Sequence, residues 1–170
     1  MPELRVNGIV EESVVDGPGL RFTVFTQGCP HHCPGCHNPQ THDPHGGYVL
    51  ETENLLARID ENPLLAGVTF SGGEPFLQAA PLAEFGNGIH ALGKTVAIYT
   101  GYTLEQLHGM AETDKGVAAL LEKADLLIDG PYVEQLRDPD LLHRGSANQR
   151  LLPRETILTI RETLRQKHSG

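Results

Sequence analysis

The order in which strand-like and helix-like segments follow one another constrains the fold of this chain most strongly. Residues 20–26 alternate apolar and other side chains and include β-branched and aromatic types, a pattern typical of a strand. Strand-like runs recur at residues 68–70, 95–99 and 125–128, and helix-like segments separate them, the first at residues 51–61. Such alternation predicts a parallel sheet with helical crossovers, and hence the α/β class. A closed eight-fold barrel needs about 250 residues, so a chain of 170 residues predicts an open, partial β/α barrel.

Composition and charge exclude several classes of protein. No internal repeat or linker divides the chain, so we expect one domain over residues 1–170. Acidic residues outnumber basic ones by 22 to 13, which leaves no basic surface for nucleic-acid phosphates. No apolar run reaches the roughly 18 residues that a membrane-spanning helix needs, and the N-terminus lacks the basic and apolar pattern of a signal peptide. We therefore expect a cytoplasmic protein without a nucleic-acid or membrane partner.

One segment, residues 27–47, breaks the alternation. Eight of its 21 residues are Gly or Pro, and it contains all three cysteines and five of the nine histidines of the chain. Loops of this length inside compact domains are usually functional or disordered. The concentration of cysteine and histidine favours function, and a tight, odd-numbered cysteine set favours a metal or redox site over a disulfide framework.

The spacing of Cys29, Cys33 and Cys36 is C-x3-C-x2-C. Three thiolates on a tight loop can each bind one iron of a 4Fe-4S cube and leave the fourth iron without a protein ligand. A catalytic metal site needs such an open position, whereas a structural site avoids it.

Two other interpretations of the cysteine loop stay open on spacing alone. A structural zinc site of the Cys3His type would take its fourth ligand from the loop histidines, for example His31, His32 or His37. A dithiol redox pair would use Cys33 and Cys36, but such a motif normally opens a helix, and the prolines that follow are unfavourable for one.

Three parts of the chain resemble the radical S-adenosylmethionine (SAM) enzymes that activate glycyl-radical enzymes. Residues 15–22 and 26–29, together with the cysteine loop, resemble the start of these proteins, and residues 71–75 (Ser-Gly-Gly-Glu-Pro) resemble their second signature. The Cys-Pro-Gly-Cys sequence and residues 129–132 and 142–150 are similar to the branch of that family that activates anaerobic ribonucleoside-triphosphate reductases.

This resemblance implies an oxidoreductase whose chemistry is carried by its cofactors, with no catalytic side chain. Cys29, Cys33 and Cys36 would bind a 4Fe-4S cluster, and SAM would chelate its open iron. Reductive cleavage of SAM would then give a 5′-deoxyadenosyl radical that abstracts hydrogen from a backbone glycine of a partner protein. The resemblance also implies a set of residues that contact SAM, namely Gly35, Cys36, His37, Gly72, Gly73 and Glu74.

The implied partners follow from the same resemblance. The protein substrate would be the large anaerobic ribonucleoside-triphosphate reductase, and an external one-electron donor is expected because the chain carries no flavin or nicotinamide fingerprint. Assembly as a homodimer is compatible with the resemblance. Activation of pyruvate formate-lyase or another glycyl-radical enzyme is the alternative within the family, although Gly35 stands where the lyase activases usually carry an aromatic residue. A zinc-stabilised interaction module without catalysis is the alternative from another class.

Overall fold

The computed structural model describes residues 2–31, 33–36 and 39–169, and all the strands named within these ranges belong to one sheet. The sheet has seven strands in the order β3-β1-β2-β4-β5-β6-β7. Their bounds are Glu3–Ser13 (β1), Arg21–Thr26 (β2), Tyr48–Glu51 (β3), Gly67–Gly72 (β4), Thr95–Tyr99 (β5), Leu126–Asp129 (β6) and Arg150–Pro153 (β7).

The centre of the sheet is parallel and its margins are antiparallel. Strands β2, β4, β5 and β6 run in one direction, whereas β1 pairs antiparallel with both β2 and β3, and β7 pairs antiparallel with β6. The carboxyl ends of the four parallel strands therefore meet at one edge of the sheet, where open α/β sheets bind their ligands. The cysteine loop starts at this edge, directly after Thr26.

Five α-helices accompany the sheet in the described ranges, at Thr52–Asp60 (α1), Ala79–Ala91 (α2), Leu104–Ala111 (α3), Lys115–Lys123 (α4) and Arg154–Ser169 (α5). Helix α2 connects β4 to β5, and α3 with α4 connects β5 to β6, as parallel pairing requires. Alternate strand residues share one core with apolar residues of α1 to α4. On the parallel strands they are Phe22, Val24, Val68, Phe70, Val96, Ile98 and Leu127.

A buried arginine fastens the turn that precedes β2. Arg21 is only 1 % exposed, and its guanidinium donates to the Pro18 carbonyl at 3.0 Å, to the Thr69 hydroxyl at 2.8 Å and to the Val68 carbonyl at 3.0 Å. Desolvation by burial lowers the pKa of Arg21. The Thr69 hydroxyl in turn donates to the Asp16 carbonyl at 2.6 Å. Arg21 thus holds residues of this turn against β4.

The structure confirms the α/β class and several local predictions. Strand β5 coincides with the predicted strand at residues 95–99, and helix α3 begins with a capping box formed by Thr103 and Gln106. In the part of the chain that the structure describes, none of the helices combines the length and apolar character needed to cross a membrane.

Candidate active site

The cysteine loop and the carboxyl ends of the parallel strands enclose a cavity of about 490 Å³. Cys29, Cys33 and Cys36 line it, and so do Gly72 and Gly73 from the end of β4 and the segment after it. Ligand pockets usually have volumes of roughly 300–1,000 Å³. The fold therefore joins two motifs that lie 36 or more residues apart in the sequence, in a space large enough for a small cofactor.

The three thiols are partly exposed. Among the described residues, no group of three or more His, Cys, Asp or Glu side chains is arranged around a single metal ion. The ligands of a 4Fe-4S cube bind different irons, so they need not converge on one point as the ligands of a zinc ion must. All three cysteines line the same cavity, as a cube bound by three thiolates requires.

Gly35 and His37 flank Cys36 in the cysteine loop, and both are expected SAM contacts. His37, an expected SAM contact, lies outside the described residues. Gly35 has a φ of 74°, a left-handed conformation that favours glycine. A Cβ atom on Gly35 would lie 2.7 Å from the carboxyl carbon of Glu134, so glycine leaves room for that carboxylate against the loop.

The glycine pair after β4 lets two backbone segments approach closely. The Gly73 amide donates to the Thr26 carbonyl at 2.8 Å, and the next amide, of Glu74, donates to the Gly28 carbonyl at 2.7 Å. A Cβ atom on Gly73 would lie 2.9 Å from the Gly28 carbonyl carbon. Because Gly28 immediately precedes Cys29, Gly73 sets the position at which the cysteine loop begins.

Glu74 is fully buried, and its carboxylate joins three segments of the chain. It accepts hydrogen bonds from the Thr100 hydroxyl at 2.8 Å, the Gly101 amide at 2.8 Å and the Phe76 amide at 3.0 Å. Nε2 of His31, in the cysteine loop, lies 2.6 Å from its Oε1. Glu74 is not among the described residues that line the cavity, and its direct contact with SAM stays a prediction.

Two tyrosines near the cavity have raised pKa values. Tyr99 lines the cavity, and desolvation, followed by the charge of Asp16, raises the pKa of its phenol. Desolvation also raises the pKa of Tyr102, with smaller contributions from Glu74 and Cys29. Both phenols are therefore neutral at physiological pH and can donate hydrogen bonds.

The remaining wall of the cavity comes from residues 130–149, here called the cover segment. The Gln149 side chain links two parts of this segment. Its Oε1 accepts from the Ser146 amide at 3.1 Å, and its Nε2 donates to the Gly130 carbonyl at 3.1 Å. The Asn148 amide group donates to the backbone of the same segment. These contacts give the Asn-Gln sequence a structural role that its spacing alone does not reveal.

A second buried carboxylate, Asp129, lies at the end of β6. It is 1 % exposed and accepts from the Leu104 amide at 2.7 Å and from Nε of Arg150 at 3.0 Å. Arg150 also pairs with Glu105 on α3. The hydrogen bonds to Asp129 and Glu105 raise the pKa of Arg150. This ion pair ties β6, β7 and the start of α3 together.

Sequence reasoning gave no positioning or cavity role to four residues around the site. His31, considered there only as a zinc ligand, and Thr100 bond Glu74, and Tyr99 and Arg144 line the cavity. Nε of Arg144 is buried without an acceptor among the described residues, so it is available to an anionic ligand. Thr100 lies directly after a predicted strand, where α/β sheets present their ligand contacts.

Comparisons with known proteins agree on one family. The family model described as "4Fe-4S single cluster domain" matches residues 15–152. The anaerobic ribonucleoside-triphosphate reductase-activating protein of Salmonella typhimurium is 37 % identical over 157 residues, which cover 86 % of this chain and 96 % of that protein. The proteins of the same name from Escherichia coli K12 and phage T4 are 35 % and 32 % identical, over 80 % and 81 % of this chain and 90 % and 86 % of their own lengths.

A solved structure also overlaps with this fold. The crystal structure of QueE from Escherichia coli has a TM-score of 0.46 and 21 % sequence identity, over 59 % of this chain and 54 % of that one.

Proposed function

We infer the activity of this chain from the fact that it belongs to the family of anaerobic ribonucleoside-triphosphate reductase-activating proteins, whose members it matches over most of its length. It is a radical SAM enzyme that generates a glycyl radical on the large anaerobic ribonucleoside-triphosphate reductase. A catalytic 4Fe-4S site accounts for the odd number of cysteines and for their position beside an open cavity.

One observation carries the proposal: Cys29, Cys33 and Cys36 share a single cavity with Gly72 and Gly73 at the carboxyl ends of the parallel strands. The three thiolates would hold the 4Fe-4S cluster. When bound, the cluster and SAM supply a one-electron cleavage that yields methionine and a carbon radical able to take hydrogen from glycine.

The chain's own residues bind and enclose the cofactors. Gly72 and Gly73 line the cavity, so their backbone can contact a bound cofactor. Arg144 offers a buried N–H donor to an anionic group, and the neutral phenol of Tyr99 offers another donor. The cover segment limits access of water from one side. The roles of Gly35, Cys36 and His37 as SAM contacts belong to the same proposal.

Further parts of the proposal concern the architecture, the electron donor, the location and the assembly of the enzyme. The parallel strands, their crossover helices and a cavity at the carboxyl edge support an open β/α barrel formed by one domain over residues 1–170. The electron comes from an external donor, and the enzyme acts in the cytoplasm. A homodimer is the assembly that we propose for the enzyme itself.

The decisive experiment supplies the reconstituted enzyme with two separate substrates. The chain is purified and reconstituted anaerobically with iron and sulfide, and then incubated with SAM, a strong reductant and either an anaerobic ribonucleoside-triphosphate reductase or a pyruvate formate-lyase. Electron paramagnetic resonance (EPR) should detect an organic radical on the reductase that depends on SAM. A radical on the lyase alone, or none on either protein, would overturn the proposed activity.

A further inference from the structure

We propose that His31 is a positioning residue that fastens the cysteine loop to the carboxyl ends of β4 and β5 through Glu74. The identity of the group held by the loop rests on the proposed function, but the contact itself does not. His31 lies midway between Cys29 and Cys33, so a fixed imidazole at this position restrains both thiols.

The first contact is a hydrogen bond to a buried carboxylate. Nε2 of His31 lies 2.6 Å from Oε1 of Glu74, and the two side chains are 16 % and 0 % exposed. The other donors to this carboxylate are the neutral groups of Thr100, Gly101 and Phe76. Hydrogen bonds to a buried charged group are stronger than those between neutral groups. The imidazole N–H is therefore a substantial anchor for the loop.

The second contact seats the imidazole ring itself. A Cβ atom on Gly101 would lie 2.5 Å from Cδ2 of His31, so the ring occupies the space that a side chain at position 101 would need. The ring of Tyr102 meets the imidazole edge-on, with centroids 4.5 Å apart and planes inclined at 75°. Packing and hydrogen bonding thus specify the same orientation of His31.

The anchor supplements the backbone bonds that hold the start of the loop. The Gly28 amide donates to the Thr41 carbonyl at 2.6 Å, and the Cys29 amide donates to the His42 carbonyl at 3.2 Å. These bonds join two parts of the loop to each other. The Glu74 amide joins Gly28 to the segment after β4, and the contact between His31 and the Glu74 carboxylate joins the loop to that segment again three residues later. Loss of this second contact should loosen Cys29 and Cys33 relative to the cavity.

The test compares three variants with the parent protein. His31→Ala removes the anchor. His31→Gln keeps an N–H donor near the position of Nε2 but is not expected to replace imidazole as a metal ligand. His45→Ala is the matched control, because this histidine is exposed in the same loop. Circular dichroism during thermal unfolding verifies that each variant is folded.

Two measurements report on the anchor independently of catalysis. The first is the rate at which the anaerobically reconstituted protein loses iron to a chelator, and the second is amide hydrogen exchange of residues 28–36 in the metal-free chain. We expect both rates to rise about tenfold in His31→Ala, the size expected for the loss of one hydrogen bond to a charged group. His31→Gln and His45→Ala should stay within about twofold of the parent, since neither loses that bond.

Each outcome has a distinct meaning. Rates in His31→Ala that equal those of the parent overturn the positioning role. A His31→Gln variant that fails as completely as His31→Ala also overturns it, because His31 would then act as a metal ligand or only through its ring. If the parent holds no iron, the proposed function fails, but faster amide exchange in metal-free His31→Ala still supports the anchor.

Discussion

Two buried carboxylates at the same edge of the sheet have different partners. Glu74, just beyond β4, accepts hydrogen bonds from uncharged backbone and hydroxyl donors and contacts the cysteine loop through His31. Asp129, at the end of β6, is paired with the permanent cation of Arg150. The ion pair of Asp129 stabilises the fold, whereas Glu74 connects a buried carboxylate to the loop that is proposed to carry the cofactor.

From this difference we expect contacts at the β4 end of the sheet to affect cofactor binding and contacts at the β6 end to affect stability. Removing the buried Asp129 would leave the Leu104 amide without its acceptor and Arg150 with Glu105 alone, which is costly for stability. Loosening the loop at Glu74 should instead affect metal retention more than global unfolding. Substitutions at the two ends should therefore separate stability from cofactor binding.

The largest expected effect comes from the cysteine loop. Replacing Cys33 by Ala should abolish SAM cleavage, because the cluster would lose one of its three protein ligands. Iron analysis and chromatography of 5′-deoxyadenosine measure the loss, and circular dichroism should show the fold intact. Production of 5′-deoxyadenosine by this variant would contradict the ligand assignment, and the same holds for Cys29→Ala and Cys36→Ala.

Among these substitutions, loss of the ion pair at the end of β6 should lower the free energy of unfolding most. Asp129→Ala should lower the free energy of unfolding by about 3 kcal/mol, because Arg150 and the Leu104 amide lose a buried partner. Denaturant unfolding of the metal-free chain measures this change. Asp129→Asn is the control and should lose less, since its oxygen still accepts from Leu104. A loss of iron from folded Asp129→Ala would remove the contrast between the two ends.

The glycine pair offers a matched test at the β4 end. Gly73→Ala should cost about 2 kcal/mol and lower iron retention, because the added methyl group displaces the Gly28 carbonyl beside Cys29. Gly109→Ala is the control: a Cβ there meets nothing within 4 Å, and alanine favours helix α3. Equal iron retention by both variants would show that Gly73 does not position the loop.

The smallest expected effect comes from the exposed ion pair between Arg150 and Glu105. The hydrogen bond from Arg150 lowers the pKa of Glu105 below its ordinary value of 4.5. The stability that the pair of Glu105 and Arg150 contributes is therefore present above about pH 4.5 and is lost as the pH falls through the lower pKa of Glu105 in the folded state. Glu105→Gln should cost under about 1 kcal/mol near pH 7, because the pair is solvent-exposed. Unfolding curves at pH 7 and pH 3.5 measure it, and an equal deficit at both pH values would contradict the pairing.

Local patterns were sufficient to predict the parallel centre of the sheet. The apolar runs of β4, β5 and β6 and the capping box at Thr103 are signals within short windows of sequence. Strands β1, β3 and β7 were not predicted. In β1 only the first residues alternate in burial, and β3 is largely exposed, so hydrophobic periodicity is weak in both.

The two motifs that meet at the site were predictable from the sequence, but the contacts that support them were not. Cys29, Cys33, Cys36 and the glycine pair belong to recognisable motifs, and the fold brings them into one cavity. The partner of His31 lies 43 residues away in the sequence, and no local pattern encodes such a contact. The supports of the site therefore require the three-dimensional structure.

The spectrum of the reduced, anaerobically reconstituted protein, recorded by EPR with and without SAM, tests the central claim most directly. We predict about four irons and four sulfides per chain and a cluster signal that changes when SAM is added, because SAM would bind the iron that Cys29, Cys33 and Cys36 are proposed to leave open. A colourless, zinc-loaded protein, or a cluster signal that SAM does not alter because a fourth protein ligand occupies that iron, would contradict the account.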